Sequence, residues 1–260
     1  MIPKIIHYCW FGNNPKSELI KKCMDSWHKY CPEYEIKEWN ETNIDNFIPY
    51  MQEAFEAKKW AFVSDVARLY VVWKYGGIYL DTDVELCKSL DEILEYECFF
   101  AFENERMINT GQGFGAVKEH PCIEKMLKEY DERKFIKNGK YDFSPCPALN
   151  TEAIIKWNNQ IVRNGVTQKI KGVLVLSCGD YDKYAKHYAN GSWVEGSENQ
   201  KKYKDSKIKR YLRNHKAFEF IEKYGGKNVV FVYTFLVYDL FEYGLFYFVK
   251  RFWTKRKCKL

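Results

Sequence analysis

The sequence predicts an α/β fold with a mixed, mostly parallel sheet and flanking helices, and its first forty residues give the first reason. Ile2 to Trp10 is a short apolar run typical of a buried strand, and Tyr34 to Trp39 alternates with the period of a strand. Between them, Ser17 is a predicted cap for a helix that runs to Tyr30. A strand, a helix and a second strand in this order predict a βαβ unit with parallel strands and a right-handed crossover.

The second reason is the stretch from Trp60 to Glu85, which predicts a helix followed by a strand. Apolar residues recur there at three- and four-residue steps, which gives a helix a wide apolar face. They are Trp60, Val63, Val66, Tyr70 and Trp73. Gly76 and Gly77 are predicted to end the helix, because glycine adopts positive φ angles readily. Ile78 to Val84 is the predicted strand, with Tyr79, Asp81 and Asp83 on one face.

The two aspartates predict a cation site at the end of that strand. Like charges held close in a cleft repel each other, and a hard cation such as Mn²⁺ or Mg²⁺ removes this cost. Asp65 and Arg68 lie one helical turn apart and can reach the same side. There, an arginine can bind a diphosphate and an aspartate can accept hydrogen bonds from sugar hydroxyls. The plainer interpretation is an exposed acidic pair and an ordinary helix ion pair.

The complete pattern, SDxxR followed after seven residues by GGxYxDxD, resembles glycosyltransferase family 32. These are the sugar-binding DXD proteins, related to the glucosylating core of clostridial toxins. The resemblance implies a GT-A fold, a Rossmann-like domain that binds a nucleotide sugar. It also implies that the DXD aspartates bind Mn²⁺ and the diphosphate, and that the Asp and Arg of SDxxR bind the donor. The matching residues are Ser64, Asp65, Arg68, Gly76, Gly77, Tyr79, Asp81 and Asp83.

Two further segments match this family. Trp10 stands where an aromatic ring stacks on the nucleotide base, although packing in the core explains it equally well. His7, in the same segment, is interpreted as structural. In the late loop, the resemblance implies that His187 and Ser192 complete the metal shell, that Asn190 and Ser192 contact phosphate, and that Trp193 caps the site. A surface histidine is the alternative for His187.

The rest of the chain predicts further elements of the same fold. We expect strands at Cys98 to Glu103 and Val173 to Leu176, and a helix from His120 to about Glu132. Asn109 to Val117 is a glycine-rich loop, which alone is a weak signal for ligand binding. Cys146-Pro147 replaces a Gly-Pro pair of the relatives, so no role is transferred to that loop.

Composition and charge exclude several classes. Apolar residues make up 46% of the 260 residues, enough for one large core. The nine cysteines form no CxxC pair, which predicts reduced, mostly buried thiols in a cytoplasmic protein. The N-terminus lacks the pattern of a signal peptide. The net charge of +6 equals the six Lys and Arg in residues 250 to 260, with a second basic run at 200 to 216, and no nucleic-acid-binding motif accompanies either.

The end of the chain predicts a separate tail. Residues 1–228 are the predicted GT-A domain, and residues 229–260 form an aromatic and basic helical tail. Two acids near the centre of its apolar run argue against a membrane span. The tail either lies on the membrane surface with its basic end on anionic lipid or packs on the domain. With the first alternative, the protein lies at the inner face of the cell membrane.

The predicted function is that of a metal-dependent, retaining hexosyltransferase. It would move a sugar from a nucleotide diphosphate donor, and a UDP-sugar is expected. The expected acceptor is a hydroxyl of a growing surface polysaccharide such as a capsule, either linked to a polyprenyl carrier or part of another glycan. Asp65, Arg68, Asp81 and Asp83 are the expected catalytic residues. Two alternatives are a sugar-phosphate nucleotidyltransferase and a non-catalytic nucleotide-sugar-binding protein. A nucleotidyltransferase is disfavoured because this sequence has no phosphate-binding loop with a nearby lysine after the first strand. A non-catalytic binding protein is disfavoured because the acidic residues of the motifs are intact.

Overall fold

A computed structural model describes residues 1–45 and 47–189. Within these residues the chain forms a seven-stranded sheet in the order β2-β1-β3-β6-β5-β10-β9 and two two-stranded sheets, β4 with β11 and β7 with β8. The strands are β1 (Ile5–Cys9), β2 (Glu35–Trp39), β3 (Gly77–Tyr79), β4 (Val84–Leu86), β5 (Cys98–Ala101), β6 (Phe114–Ala116), β7 (Ile136–Lys137), β8 (Lys140–Tyr141), β9 (Gln168–Ile170), β10 (Val173–Leu176) and β11 (Ala185–His187).

The helices lie between these strands along the chain. They are α1 (Glu18–Tyr30), α2 (Pro49–Glu56), α3 (Trp60–Tyr75), α4 (Pro121–Asp131), α5 (Cys146–Trp157) and α6 (Cys178–Tyr181), with a 3₁₀ turn at Asp91–Ile93. The cap predicted for α1 is present, because the Ser17 side chain accepts a hydrogen bond from the Ile20 amide. The predicted helix after His120 is α4, which that histidine caps through the Cys122 amide.

The sheet confirms the predicted α/β class. β1 runs parallel to both β2 and β3, and β5 runs parallel to β10. β6 is antiparallel to both of its neighbours and β9 is antiparallel to β10, so five of the seven strands point the same way. Apolar side chains are buried on both faces: α3 packs in one core cluster, and Trp27 of α1 packs in the other. The carboxyl ends of β1, β3 and β5 therefore share one edge.

The strand predicted at Ile78 to Val84 is wrong in extent. β3 ends at Tyr79 and β4 begins at Val84, with a turn between them in which the Val84 amide donates to the Asp81 carbonyl at 3.0 Å. The cause is a distant pairing, since β4 leaves the main sheet to pair with β11. The predicted break after α3 is confirmed. Gly76 and Gly77 have φ of 68° and 105°, in the region that favours glycine.

His7 has the structural role predicted for it. Its Nδ1 accepts a hydrogen bond from the Trp39 indole at 3.0 Å, so its Nε2–H donates to the Gly76 carbonyl at 2.7 Å. Burial lowers the pKa of His7 to about 4, which keeps the ring neutral. This contact ties β1 and β2 to the glycine pair that ends α3.

The prediction of reduced, mostly buried thiols is confirmed for the described part of the chain, in which the cysteines are not joined in disulfides. Six are buried and two, Cys87 and Cys178, are exposed. No helix among the described residues is long and apolar enough to cross a membrane. The tail at 229–260 and the boundary at residue 228 lie outside the described residues, as do Asn190, Ser192 and Trp193.

Candidate active site

The candidate site lies at the shared edge of the sheet, where β1 and β3 end and α3 passes behind them. Arg68, on α3, is its centre. One guanidinium nitrogen lies 3.1 Å from the Asp65 carboxylate and 3.3 Å from the Asp81 carboxylate, and Nε donates to the Ser64 carbonyl at 3.0 Å. The guanidinium also lies 4.9 Å from the centre of the Tyr79 ring. The SDxxR segment and the DXD segment therefore meet at one side chain.

Burial makes this ion-pair network sensitive to the loss of any member. Only 5% of the Arg68 side chain and 12% of the Asp65 side chain are exposed. Burial raises the pKa of Asp65 and of Asp81, and the nearby guanidinium opposes that rise. Burial also disfavours the charged form of Arg68, but Asp81, Tyr79 and Asp65 raise its pKa, so it stays charged. The charges hold one another in place.

Asp81, Asp83 and His187 form a second group at the same place. One ligand atom from each lies within 4.8 Å of the others, and His187 Nε2 is 3.2 Å from Asp83 Oδ1. The antiparallel pairing of β11 with β4 brings His187 to this position, because His187 lies opposite Val84. Burial would lower the pKa of His187, but the hydrogen bond to Asp83 and the charge of Asp81 raise it. The structure brings His187 together with Asp81 and Asp83, and the binding of a metal by these residues stays a prediction.

The donor set fits a hard divalent cation. Two carboxylates and an imidazole are suitable ligands for Mn²⁺ or Mg²⁺. Asp65, Asp81 and Asp83 carry three negative charges, and Arg68, which pairs with Asp65 and Asp81, compensates one of them, so a formal charge of −2 remains when His187 is neutral. A divalent cation compensates this charge. Ser192, the fourth predicted ligand, lies outside the described residues.

The remaining predicted residues surround this centre. Ser64 donates its hydroxyl to the Trp60 carbonyl, and Tyr79 is 1% exposed and donates its hydroxyl to Asp81 at 2.8 Å. Tyr79 therefore orients the carboxylate. Trp10 directly follows β1 and is partly buried, with its indole donating to the Asn14 carbonyl. A direct contact of either ring with substrate stays a prediction.

The glycine-rich loop contributes a residue that sequence reasoning left without a role. The Asp81 amide donates to the Gly111 carbonyl at 2.9 Å, and the Gly111 amide donates to the Asn109 side chain. A Cβ added at Gly111 would lie 2.3 Å from Asp81 Oδ2 and 3.0 Å from Arg68. The loop backbone closes on the site, and a side chain at this position would displace the carboxylate. In the sequence, the three glycines of this segment were the only indication that its backbone approaches the site.

The start of α5 contributes a second group that was missed. The Cys146 thiol lies beside the Asp65 carboxylate, and burial together with this negative charge raises the pKa of the thiol well above its usual range. One turn later, the Asn150 amide donates to Thr110 at 3.0 Å. Its Oδ1 is buried, and the described part of the chain provides no hydrogen-bond partner for it. The Cys-Pro pair thus lies at the site although it departs from the family pattern.

The SDxxR and DXD residues of this site lie in a segment that is similar to the sugar-binding region of a glycosyltransferase family. Residues 17–100 match the family model described as the glycosyltransferase sugar-binding region containing the DXD motif. This segment includes the SDxxR and DXD residues, and the match confirms the predicted family resemblance over it.

Named relatives are glycosyltransferases as well. The chain is 30% identical to inositol phosphoceramide mannosyltransferase 3 of Schizosaccharomyces pombe, over 49% of this chain and 36% of that protein. It is 26% identical to mannosyl phosphorylinositol ceramide synthase CSH1 of Saccharomyces cerevisiae, over 100% of this chain and 69% of that protein. It is 32% identical to human alpha-1,4-N-acetylglucosaminyltransferase, over 38% of this chain and 27% of that protein. The chain thus spans about a third of the first of these proteins.

Two solved structures of glycosyltransferases align with part of this chain. PaToxG glycosyltransferase aligns with a TM-score of 0.48 and 22% identity, over 61% of this chain and 70% of that one. A glycosyltransferase involved in glycosylation of the major capsid of PBCV-1 aligns with a TM-score of 0.39 and 11% identity, over 74% of this chain and 95% of that one.

Proposed function

We propose that this protein transfers a hexose from a nucleotide diphosphate sugar to an acceptor hydroxyl, and that the transfer depends on a divalent cation, Mn²⁺ or Mg²⁺. The observation that carries the proposal is the convergence of Asp81, Asp83 and His187 beside the buried Arg68–Asp65 pair. A bound cation would supply positive charge to the leaving diphosphate. Asp81, Asp83 and His187 would hold it, and Tyr79 and Arg68 fix the orientation of Asp81.

Asp65 is the carboxylate that we propose binds the donor sugar. Its charge is compensated by Arg68, and 12% of its side chain remains exposed. A carboxylate held in this way can accept hydrogen bonds from sugar hydroxyls without reorganising. Arg68 is engaged by two carboxylates, so it serves first to hold them. Its direct contact with the donor phosphates, which the family resemblance implies, is part of the proposal.

The proposed reaction retains the configuration of the sugar. The acceptor oxygen forms a bond to the anomeric carbon on the face from which the diphosphate departs, the bond from that carbon to the phosphate oxygen breaks, and the acceptor proton passes to a phosphate oxygen. The carboxylates of Asp65 and Asp81 are engaged by Arg68, and Asp83 lies against His187. This arrangement favours a direct displacement over a covalent intermediate. The anomeric configuration of the product, read by NMR, tests it.

The acceptor is proposed to be a lipid-linked glycan or a lipid headgroup at the inner face of a membrane. The names of two relatives support a lipid, since both refer to inositol-containing ceramides. A polyprenyl carrier fits the same chemistry, because it also presents a sugar or polyol hydroxyl beside a phosphate. The location at the membrane depends on the proposed role of the tail at 229–260.

The experiment is a panel of UDP- and GDP-sugars, mannose donors included, incubated with the full chain with and without Mn²⁺. The release of nucleoside diphosphate is measured. The proposal expects slow, metal-dependent release from one donor even when no acceptor is present. A chain that neither binds nor cleaves any donor with Mn²⁺ contradicts it. Release of pyrophosphate from a nucleoside triphosphate and a sugar phosphate would show a nucleotidyltransferase instead.

A further inference from the structure

Three side chains form a compact polar cluster on the far side of His187. The Tyr188 hydroxyl donates to the Glu85 carboxylate at 2.5 Å. The Lys22 ammonium lies 3.0 Å from the same carboxylate and 3.1 Å from the Tyr188 hydroxyl. Each of the three groups therefore contacts the other two. We call this cluster the Lys22–Glu85–Tyr188 clamp.

The clamp joins three elements that the main sheet does not hold together. Lys22 belongs to α1, Glu85 to β4, and Tyr188 directly follows β11. β4 and β11 pair only with each other among the described strands, so the seven-stranded sheet does not fix their position. Two further bonds fasten β4 to α1. The Trp27 indole donates to the Val84 carbonyl at 2.8 Å, and the Leu86 amide donates to Ser26.

The clamp is connected directly to the proposed cation ligands. The Tyr188 amide donates to the Asp83 carbonyl at 3.0 Å, which continues the pairing of β11 with β4 beyond His187. Successive residues of an extended chain point to opposite sides. His187 therefore points to Asp83, and Tyr188 points away from the site toward α1. Whatever fixes Tyr188 also fixes the backbone of His187.

We propose that the Lys22–Glu85–Tyr188 clamp positions His187 for cation binding, with Tyr188 as its principal positioning residue. This inference rests on the proposed function, because it assumes the cation site at Asp81, Asp83 and His187. Groups behind a metal ligand set its orientation, and their loss commonly weakens metal binding by about 10- to 100-fold. Tyr188 does not contact the His187 ring and acts on it only through the backbone, so we expect a loss of metal affinity at the lower end of this range.

The charges of the clamp are consistent with this role. The hydrogen bond from Tyr188 and the contact with Lys22 lower the pKa of Glu85, so the carboxylate stays ionised. Lys22 is 58% exposed, and an ion pair that is so exposed adds little to stability. The contribution of the clamp is therefore expected in the position of His187 and not in the overall stability of the fold.

The chain contains a matched control just before β11. The Tyr184 hydroxyl donates to Glu92 at 2.8 Å, Lys88 lies 2.8 Å from Glu92, and the Lys88 ammonium is 4.1 Å from the centre of the Tyr184 ring. This second cluster has the same three residue types. It lies at the opposite end of β11 from His187, where the Cys87 amide donates to the Tyr184 carbonyl. Its loss should not move the cation ligands.

The test compares Tyr188→Phe with Tyr184→Phe in the full chain. The affinity for Mn²⁺ alone is measured by electron paramagnetic resonance of the free ion, and thermal unfolding is measured without metal. We expect about 10-fold weaker Mn²⁺ binding in Tyr188→Phe, wild-type binding in Tyr184→Phe, and similar unfolding of both. Lys22→Met should also weaken binding, and Lys22→Arg should restore it.

Two results overturn the inference and leave the proposed function standing. In the first, Tyr188→Phe binds Mn²⁺ as the wild type does. In the second, both tyrosine variants weaken binding equally, which indicates a general effect of removing a surface hydroxyl. If the wild type itself binds no Mn²⁺, the cation site is absent, and both the inference and the proposed metal dependence fail.

Discussion

The Arg68 guanidinium lies 3.3 Å from the Asp81 carboxylate, so α3 and the turn after β3 meet in one partly buried ion pair. The same nitrogen lies 3.1 Å from Asp65. These contacts place the donor-binding and the cation-binding parts of the site in a single network. Removing its positive centre should therefore affect both the stability of the fold and the geometry of the site.

Arg68→Met tests this coupling. The variant leaves Asp65 and Asp81 close together without a positive partner, and breaking a buried pair in this way costs about 3 kcal/mol or more of unfolding free energy. Lys128→Met is the control, because it breaks the surface pair with Glu124 and should cost less than about 1 kcal/mol. Urea denaturation provides both values. Equal losses in the two variants would show that the Arg68 network is not buried as described.

Gly111→Ala tests the approach of the loop backbone to Asp81. The new Cβ would lie 2.3 Å from Asp81 Oδ2, so the carboxylate must move away from its position beside Arg68. We expect Mn²⁺ affinity to fall by about 10-fold or more, as for other groups that orient a metal ligand. Gly179→Ala is the control, because nothing lies within 4 Å of its added Cβ. Calorimetric titration with Mn²⁺ measures both, and an unchanged affinity in Gly111→Ala would contradict the described contact.

His7 predicts a pH dependence of stability. Its pKa is about 4 in the fold, against about 6.5 in the unfolded chain, so the unfolded state binds more protons between these values. Stability should therefore fall as pH decreases from about 6.5 to 4, by about 3 kcal/mol from this residue alone. His7→Gln should lose less stability over this window than the wild type does. Denaturation curves at pH 7 and pH 4 measure the difference, and parallel losses would exclude a neutral, buried His7.

The cysteines predict a labelling pattern. Cys87 and Cys178 are exposed, and the other described cysteines are buried. Burial raises the pKa of Cys9 to about 12, which removes the reactive thiolate. A thiol reagent should label Cys87 and Cys178 in the native protein and the buried cysteines only after unfolding, as read by mass spectrometry. Rapid native labelling of Cys146 would contradict its place against Asp65.

Local patterns in the sequence predict contacts within an element but not contacts between distant elements. The limits of α3 and the convergence of Asp65 and Arg68 follow from helical spacing and from Gly76-Gly77, so they were predictable. The turn between Asp81 and Asp83 was not, because it depends on the pairing of β4 with a strand about a hundred residues away.

The same distinction applies to the site. Gly111 and Cys146 reach the ion-pair network only through tertiary packing, and neither has a spacing that relates it to SDxxR or DXD. His187 was predictable because a family motif marked it. The Lys22–Glu85–Tyr188 clamp has no such mark, since its members are separated along the chain and are joined only in the folded protein.

The central claim is that Asp81, Asp83 and His187 hold a cation that the donor needs. Its most direct test is calorimetric titration of the reactive nucleotide sugar into the full chain, with and without Mn²⁺, for the wild type, Asp83→Ala and the control Asp25→Ala, which alters an exposed residue of α1. The account predicts metal-dependent binding in the wild type and Asp25→Ala and its loss in a folded Asp83→Ala. Wild-type binding by Asp83→Ala would contradict it.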